Sequence, residues 1–527
     1  MSLAVGGSGS FPEGRQGPRR PSAGNFRSGL TVWLLGHLLG LLLLVVPPLQ
    51  AAGSLRQIPA VVHAHSTWSS GDQTLDELVA RARAVGVEAI FLTDSHLQRF
   101  EYGLPPLRNL LRYRVEYASL LSRGPEAFLQ AVREANARQK DVLLIPGAEV
   151  IPHYYWTGSL LRGTLIMHNA QKNILALGLT RPEDYRDLPA VGNSSAARWD
   201  AASLWLLSPA LLLVPGVWLL RTRRRRVVRL QYFQVAVERR LTGYGILCLA
   251  IGAALLANNF PFRALPISPY DPDAGLRPHQ TVIDFVNARG GVAVWSLPEA
   301  RDYQVVTTLG MRATIQTDPY PSDLLRTDRF TAFGGVYADT TTFPQPGGGW
   351  DRLLVDYLSG RRATPAWALG EAAYHREGQA GKRLADVQTV FLVDRKDPRA
   401  LMEALRAGRF YALQRRPEAG LVLDQFQVLL PERPPAEAGD RLILRAGDRP
   451  EVRAAIRATG GRQIVIEALL VRNGLVVHSL RAETPFTLRW SESAIPAGAS
   501  VFYRLEVRGP GGHQILSNPI FVQRAGG

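Results

Sequence analysis

The sequence predicts an α/β protein: a parallel sheet or barrel of β/α units, interrupted by a transmembrane hairpin and followed by an all-β sandwich. Three observations predict this arrangement. Short apolar strands alternate with helical patterns before residue 203 and again after residue 258. Two uncharged apolar runs separate these halves. After Pro417 the chain turns to short β-rich runs divided by turn signals.

The first β/α half, residues 53–203, opens with the strand pattern IPAVVHAH. Thr74 and Glu77 then form a Thr-x-x-Glu capping box, and apolar residues recur at helical spacing behind it. EAIFLTD, which ends at Asp94, is the next predicted strand. After a longer helical stretch, DVLLIPGAEV, TLIMH and NILALGL are predicted as further strands, which gives the order of β/α units.

The second half, residues 258–416, resumes the alternation. Asp397 has the sequence position of an N-cap, and Pro398 and Gly408 bound a predicted helix. The simplest interpretation is one β/α domain whose chain leaves for the membrane and returns, and separate domains are the alternative. Residues 417–527 carry turn signals such as Asn473-Gly474 and are predicted to form an immunoglobulin-like sandwich.

Three apolar runs of the chain, Leu30–Val46, Leu204–Leu220 and Leu241–Ala257, contain no charged residue. Each is long enough to cross a bilayer. Segment 30–46 is predicted to be a transmembrane anchor or a signal peptide. The other two runs form the predicted transmembrane hairpin, residues 204–257, and the alternative is a pair of helices buried in a large core.

The charge of the chain is concentrated beside these apolar runs. The formal net charge is +16. Residues 1–29 hold four Arg and one Glu, a net charge of +3, and the loop 221–240 holds eight Arg and one Glu, a net charge of +7. Positive residues stay cytoplasmic in short loops. We therefore expect a cytoplasmic basic N-terminus, 1–29, a cytoplasmic Arg-rich loop, 221–240, and an extracytoplasmic location for the bulk of the chain.

The composition also excludes several classes of protein, site and binding partner. Apolar residues make up 46% of the chain, which excludes a disordered protein. A single cysteine, Cys248, excludes a disulfide framework and a Cys-ligated zinc site. Because the membrane-flanking segments account for most of the charge, the predicted partner is the lipid bilayer and not a nucleic acid. The oligomeric state is not predicted.

Residues able to bind a metal recur where the predicted strands end. His63 and His65 follow the first strand, and residues i and i+2 of a strand share one face. Asp94 and His96 follow the second strand, and Glu149 follows the third. His168 ends a later strand, and His375 lies near the end of the β/α region. Nitrogen and oxygen ligands at one sheet edge suit Zn, Mn or Fe.

These segments resemble the PHP family (polymerase and histidinol phosphatase), in particular a branch with a C-terminal β-sandwich. The resemblance covers about residues 58–412 and is carried by the following segments: VHAHSTWSSG, TLDELVARARAVGVEAIFLTD, IPGAEV, ILALGL, GGVAVWSLPEA and ALRAGRFYAL. It implies a distorted β/α barrel that binds up to three divalent metal ions. It also implies that the metals activate water for attack on a phosphoester or another ester.

Carried over residue by residue, the resemblance implies that His63, His65, Glu149 and His375 are metal ligands. Asp94 matches a family acid, and Asp94 and His96 are the predicted catalytic residues, with His168 as a further candidate ligand. The chain departs from the family at four positions, where a ligand is replaced or displaced: Ser95, Asn173, Leu297 and Ala373. A full three-metal site is therefore not expected, and a single-metal site is.

Two functions follow. The first is a membrane-anchored, extracytoplasmic, metal-dependent hydrolase acting on a small-molecule ester or an envelope-derived substrate. The second is a degenerate domain of the same fold without catalysis, which binds a ligand or a partner in the cell envelope. Bound metal distinguishes them.

Overall fold

The computed structural model describes residues 55–160, 162–229, 231–308, 311–339, 341–415, 420–493 and 495–526. The predicted basic segment 1–29 and the predicted anchor or signal peptide 30–46 lie outside the described residues. The described chain mixes helices and strands throughout, which confirms the predicted α/β class.

The strands are numbered in chain order. Those before the apolar helices are β1 Arg56–Ala64, β2 Ala89–Leu92, β3 Arg99–Gly103, β4 Arg112–Glu116, β5 Leu143–Ile145, β6 Gly147–Val150, β7 Tyr155–Thr157, β8 Leu165–His168 and β9 Ile174–Leu177. Those between the apolar helices and in the second half are β10 Arg223–Arg229, β11 Gln234–Arg240, β12 Val292–Trp295, β13 Asp302–Thr308, β14 Met311–Thr317, β15 Ala332–Val336, β16 Trp367–Gly370, β17 Val387–Val393 and β18 Phe410–Gln414. The C-terminal strands are β19 Leu421–Leu429, β20 Arg441–Leu444, β21 Glu451–Ala458, β22 Val465–Arg472, β23 Leu475–Glu483, β24 Phe486–Ser491, β25 Ser500–Arg508, β26 Gln514–Ser517 and β27 Ile520–Arg524.

The helices are numbered in the same way. They are α1 Leu75–Ala84, α2 Leu120–Arg123, α3 Pro125–Arg138, α4 Pro182–Arg186, α5 Ala201–Leu206, α6 Leu213–Arg221, α7 Thr242–Asn259, α8 Arg277–Ala288, α9 Pro321–Leu324, α10 Gly349–Leu358 and α11 Pro398–Ala407.

Local signals set the helix ends as the sequence predicts. In α1 the Thr74 side chain accepts from the Glu77 amide and the Glu77 carboxylate accepts from the Thr74 amide, which is the predicted capping box. In α11 the Asp397 side chain accepts from the Ala400 amide, and the helix ends at Gly408 with a φ of 75°. Both predictions are confirmed.

Two sheets carry the β/α region. The first has the order β18-β17-β1-β2-β5, in which β1, β2 and β5 are parallel. The second has the order β16-β15-β12-β9-β6, in which β12, β15 and β16 are parallel. The two sheets share one hydrophobic core. Because backbone pairing divides the strands between two sheets, a closed barrel stays a prediction.

The first sheet continues into the C-terminal strands. β18 pairs with β26, and β25, β27, β22, β23 and β20 extend the sheet beyond it. β19, β21 and β24 form a separate three-stranded sheet. Buried residues from both sheets make a second hydrophobic cluster. The chain after residue 417 is therefore all-β, and its sheet is continuous across the predicted domain boundary.

The second and third apolar runs form a helix pair with exposed apolar faces. Residues 201–221, which include α5 and α6, and residues 242–259, which are α7, are long and apolar enough to cross a membrane. Glycines let the two helices approach closely: a Cβ at Gly216 would lie 2.8 Å from the Leu249 side chain. Trp205 is 79% exposed and Leu211 is 73% exposed.

The Arg-rich connection differs from the loop that the sequence predicts. Residues 223–229 and 234–240 pair as the antiparallel hairpin β10–β11. Valines are spaced along both segments, at Val227, Val228, Val235 and Val237, and β-branched residues favour strands. The arginine content conceals this strand signal.

Candidate metal centre

Two histidines at the end of β1 face each other. His63 and His65 are both buried, and their Nε2 atoms are 3.1 Å apart. The pairing of β1 with β2 is irregular between Val62 and Ala64, and His63 has a left-handed φ of 70°. A side chain larger than glycine is rarely found in this conformation. The irregularity therefore aims both imidazoles at one point, as the two-residue spacing predicts.

Glu149 completes the cluster from the second sheet. Its Oε1 lies 3.4 Å from His63 Nε2, and its Oε2 lies 3.6 Å from His65 Nε2. One ligand atom from each of the three residues falls within 4.8 Å of the others. The backbone places them together, because Ser95 after β2 forms an isolated bridge with Glu149 in β6. Three of the predicted ligands are therefore brought to one point.

Glu371 lies on the other side of the His63 ring. His63 Nδ1 donates to Glu371 Oε1 over 2.6 Å, and Glu371 is fully buried. The same carboxylate accepts from Ser296 Oγ and from the Leu297 amide. A carboxylate on Nδ1 fixes the ring so that Nε2 faces the cluster. A Cβ at Gly334 would lie 2.0 Å from Glu371 Oε2. Only glycine at position 334 therefore leaves room for the carboxylate.

Asn173 holds Glu149 in a similar way. Its Nδ2 donates to Glu149 Oε1 over 2.7 Å. Its Oδ1 is buried and has no hydrogen-bond partner among the described residues. Asn173 stands where the resemblance implies a histidine ligand. Here the amide orients a ligand, and its second polar atom remains available to a bound group.

His375 lies beside the cluster and not within it. Its ring stacks on His65 with a centroid distance of 4.1 Å and an interplanar angle of 13°. Ser70 Oγ is 2.9 Å from His375 Nδ1. Burial lowers the pKa of His375 to about 4, against the opposing effect of Glu149. The structure thus gives this predicted ligand a position next to His65.

Asp94 supports the loop that follows β1. It accepts from the Ser66 amide, from Ser66 Oγ and from Ser69 Oγ. Burial raises its pKa, and these hydrogen bonds oppose the rise. Ser69 Oγ is also 3.1 Å from His65 Nδ1. Asp94, predicted as catalytic, therefore acts on His65 through the serine loop.

His96 and His168 are placed away from the cluster. His96 Nε2 is 2.6 Å from the Tyr185 carbonyl, and burial lowers its pKa to about 4. His168 belongs to β8 in a third sheet, stacks on Tyr155, and has its Nε2 2.8 Å from Thr157 Oγ1. His96, one position after the histidine that the resemblance implies, thus faces α4, which contains Tyr185.

Leu297 and Ala373 have unusual backbone conformations. Their φ values are 41° and 45°, in the left-handed region that favours glycine. The Leu297 amide binds Glu371, and the chain next to Ala373 pairs with β1 through the Tyr374 amide and the His63 carbonyl. Such conformations cost about 1–3 kcal/mol each and cluster at functional sites. The left-handed backbone thus occurs at two positions next to the cluster whose side chains cannot bind a metal.

The protonation states of the cluster residues depend on burial and on one another. Burial lowers the pKa of His63, but the hydrogen bonds from Glu149 and Glu371 outweigh it and raise this pKa to about 9. Burial holds the pKa of His65 well below its usual range. Burial raises the pKa of Glu149, but His63 outweighs it and the pKa falls to about 2. His65 is therefore neutral and Glu149 ionised, the forms that bind metals, whereas His63 is protonated at neutral pH and would release its proton when a metal binds.

Glu371 is not among the ligands that the motif resemblance implies. Its bond to His63 spans 308 residues of chain, so no local pattern could reveal it. The glycines of FGGVYAD, which include Gly334, are the one sequence feature that marks the close approach.

No family model and no curated protein matches the chain. Similar solved structures include a two-domain protein from Bacteroides vulgatus that contains a predicted PHP-like metal-dependent phosphoesterase, at 11% identity and a TM-score of 0.33, with 89% of this chain and 95% of that chain covered. A protein from Bifidobacterium adolescentis, assigned as a metal-dependent phosphoesterase, is 13% identical with a TM-score of 0.25 and coverages of 61% and 89%. An amidohydrolase from Chromobacterium violaceum is 15% identical with a TM-score of 0.24 and coverages of 62% and 90%. At these values the function has to be argued from this chain's own side chains.

Proposed function

We propose that this protein is a membrane-anchored, extracytoplasmic hydrolase that uses one divalent metal ion to cleave phosphoesters or related esters. The observation that carries the proposal is the convergence of His63, His65 and Glu149 within 4.8 Å. Two imidazoles and a carboxylate match the three-ligand set of catalytic sites, which leave a further position for water or substrate. The donor set suits Zn, Mn or Fe.

A bound divalent ion would supply a Lewis acid and would lower the pKa of water. The chain's own residues hold the ligands for it. Glu371 keeps His63 Nε2 directed at the cluster, and Asn173 fixes one oxygen of Glu149. Ser69 and Ser70 approach Nδ1 of His65 at 3.1 and 3.3 Å. Orientation of this kind raises metal affinity, because the ligands do not have to be ordered on binding.

The same supporting groups argue for a retained site. Glu371 is a buried carboxylate that is held by Ser296 and by the Leu297 amide, and it faces an imidazole whose opposite nitrogen points at two further ligands. A structural remnant would not require the left-handed conformations at His63, Leu297 and Ala373. These features together favour the hydrolase over the degenerate binding domain.

Hydrolysis is the first test. The purified full-length protein should release p-nitrophenol from p-nitrophenyl phosphate or bis-p-nitrophenyl phosphate, and EDTA should abolish the release until Mn²⁺, Zn²⁺ or Fe²⁺ is added back. The double variant His63→Ala/His65→Ala should be inactive. His168→Ala is the matched control, because it removes a partly buried imidazole that lies outside the cluster, and it should stay active. Activity that survives the double variant would contradict the proposal, and metal binding without hydrolysis would favour the degenerate domain.

We propose the topology that the sequence predicts. An N-terminal anchor precedes the β/α region, which lies outside the membrane, and the helix pair crosses the membrane and returns. The exposed apolar faces of α6 and α7 support it, since such surfaces are costly in water. Eight arginines in residues 221–240 favour a cytoplasmic position for β10–β11. Reporter fusions should be extracytoplasmic at residues 190 and 280 and cytoplasmic at residue 230. A cytoplasmic reporter at residue 190 or 280 would contradict this topology.

A further inference from the structure

The connection between β3 and β4, residues 104–111, is an apolar surface loop. Its sequence is LPPLRNLL. Leu110 is 50% exposed and Leu111 is 53% exposed, and Leu104 is exposed as well. A loop in contact with water is normally polar. The loop is therefore an exposed apolar patch that the proposed hydrolytic site does not use.

The loop is fixed to the end of α7. The amides of Asn109 and Leu110 both donate to Asn258 Oδ1, over 2.8 and 3.3 Å. Asn109 Nδ2 donates to the Asn258 carbonyl over 2.8 Å. Asn258 is itself buried and lies in the last turn of the apolar helix. The exposed leucines are thus held at the level where the apolar helix ends.

Other apolar side chains lie at the same end of the helix pair. Phe260, directly after α7, is 71% exposed, and Trp199, directly before α5, is 59% exposed. The chain segments that carry them are paired through the backbone of Arg198 and Ala264. Aromatic residues are enriched where a membrane protein passes from hydrocarbon to water. The end of the helix pair therefore has an aromatic and leucine-rich rim.

Cationic side chains lie within and directly after the loop. Arg108 stacks on the Tyr270 ring at 3.9 Å, and Arg112 and Arg114 contact the Glu101 carboxylate. Exposed leucines next to arginines match the acyl chains and anionic headgroups that meet at the interface of a bilayer. This arrangement of charge and apolar surface favours a lipid bilayer as the binding partner of the loop.

We infer that the loop 104–111 inserts into the outer interface of the lipid bilayer beside the end of α7 and forms a third membrane contact besides the helix pair. The inference rests on the membrane crossing proposed above. The hairpin β3–β4 begins at Arg99, shortly after the strand end that carries Asp94. Five strand residues span roughly 17 Å. The bilayer would then lie on the side of the fold where the strands of the metal cluster end.

Spin labels test the inference in the full-length protein. The lone cysteine is first removed by Cys248→Ser, and single variants Leu110→Cys, Ile251→Cys and Leu475→Cys are labelled in vesicles of phosphatidylcholine and phosphatidylglycerol. Power-saturation spectroscopy then compares collisions with lipid-soluble oxygen and with a water-soluble nickel complex. Residue 251 reports the middle of α7, and residue 475 is an exposed apolar control at 72% exposure in the C-terminal strands.

The label at residue 110 should show an oxygen-to-nickel ratio several-fold higher than the label at residue 475 and closer to that at residue 251. A ratio at residue 110 equal to that at residue 475, with residue 251 in lipid, would overturn this inference and leave the membrane crossing intact. Water-like ratios at both 110 and 251 would overturn the crossing as well. Neither result bears on metal binding, which is measured separately.

Discussion

The two halves of the β/α region contribute differently to the candidate metal centre. The half before the apolar helices supplies all three ligand atoms of the cluster, from His63, His65 and Glu149. The half after the helices supplies Glu371 and Ser296, which support His63 from behind. The first half therefore supplies the three candidate ligands of the cluster and the groups that orient Glu149 and His65, whereas the second half supplies the groups that orient His63.

The second half also has two residues with an unusual backbone where the resemblance implies metal ligands. Leu297 and Ala373 both have left-handed φ values, and neither side chain can bind a metal. The Leu297 amide still donates to Glu371. This arrangement of ligands therefore supports the binding of a single metal ion per chain.

The largest expected effect is the loss of a ligand from the first half. Glu149→Ala removes the only carboxylate of the described three-residue cluster, and we expect metal affinity to fall more than about 100-fold. Isothermal titration with Zn²⁺ or Mn²⁺ measures it. Glu116→Ala, at an exposed carboxylate of β4, is the control and should bind as the wild type does. Equal affinity in the two variants would contradict a ligand role for Glu149.

The next effect is the loss of orientation from the second half. Glu371→Ala leaves His63 Nδ1 without its acceptor, and we expect metal affinity to fall about 10- to 100-fold while one ion still binds at saturation. Glu371→Gln keeps a hydrogen-bond acceptor and should lose less. A Glu371→Ala variant that binds no metal at any concentration would instead place Glu371 among the ligands and would break the comparison.

A smaller effect is expected at Asn173. Asn173→Ala removes one hydrogen bond to Glu149 and leaves both histidines in place, so affinity should fall about tenfold, the low end for such partners. Asn173→Asp adds a negative charge beside Glu149 and tests whether this position can itself reach the ion. Tighter binding in Asn173→Asp would show that it can, and the same titration reads both variants.

The smallest effect concerns the retained backbone. Ala373→Gly should stabilise the protein by about 1 kcal/mol, because glycine has no Cβ to oppose a left-handed conformation. Ala412→Gly, at a buried strand position in β18, should destabilise the protein by a similar amount. Thermal unfolding of both variants in detergent measures the difference. Destabilisation by Ala373→Gly would show that the backbone there carries no strain.

Local patterns predicted much of the fold. The capping box at Thr74 and the N-cap at Asp397 gave helix starts that the structure confirms, because these signals act over three or four residues. The hairpin β10–β11 was missed, because arginine content and strand propensity compete in the same segment. The continuity of β18 with β26 joins residues about a hundred positions apart and leaves no local trace.

The same distinction applies to the site. His63, His65 and Glu149 could be predicted because each lies at or next to the end of a short apolar strand, although these strands belong to two sheets. His96 and His168 fit that rule equally well, but the direction of a side chain at a strand end depends on the register and on bulges such as the one beside His63. Glu371 and Asn173 take their roles from partners far along the chain, which only the folded structure brings together.

The most direct test of the account is the number of metal ions bound per chain. Full-length protein is incubated with Zn²⁺, Mn²⁺ or Fe²⁺, passed through a desalting column and measured by inductively coupled plasma mass spectrometry, beside His63→Ala/His65→Ala and His168→Ala. We expect one ion per chain in the wild type and in His168→Ala, and none in the double variant. No retained metal in the wild type, or equal metal in all three proteins, would contradict it.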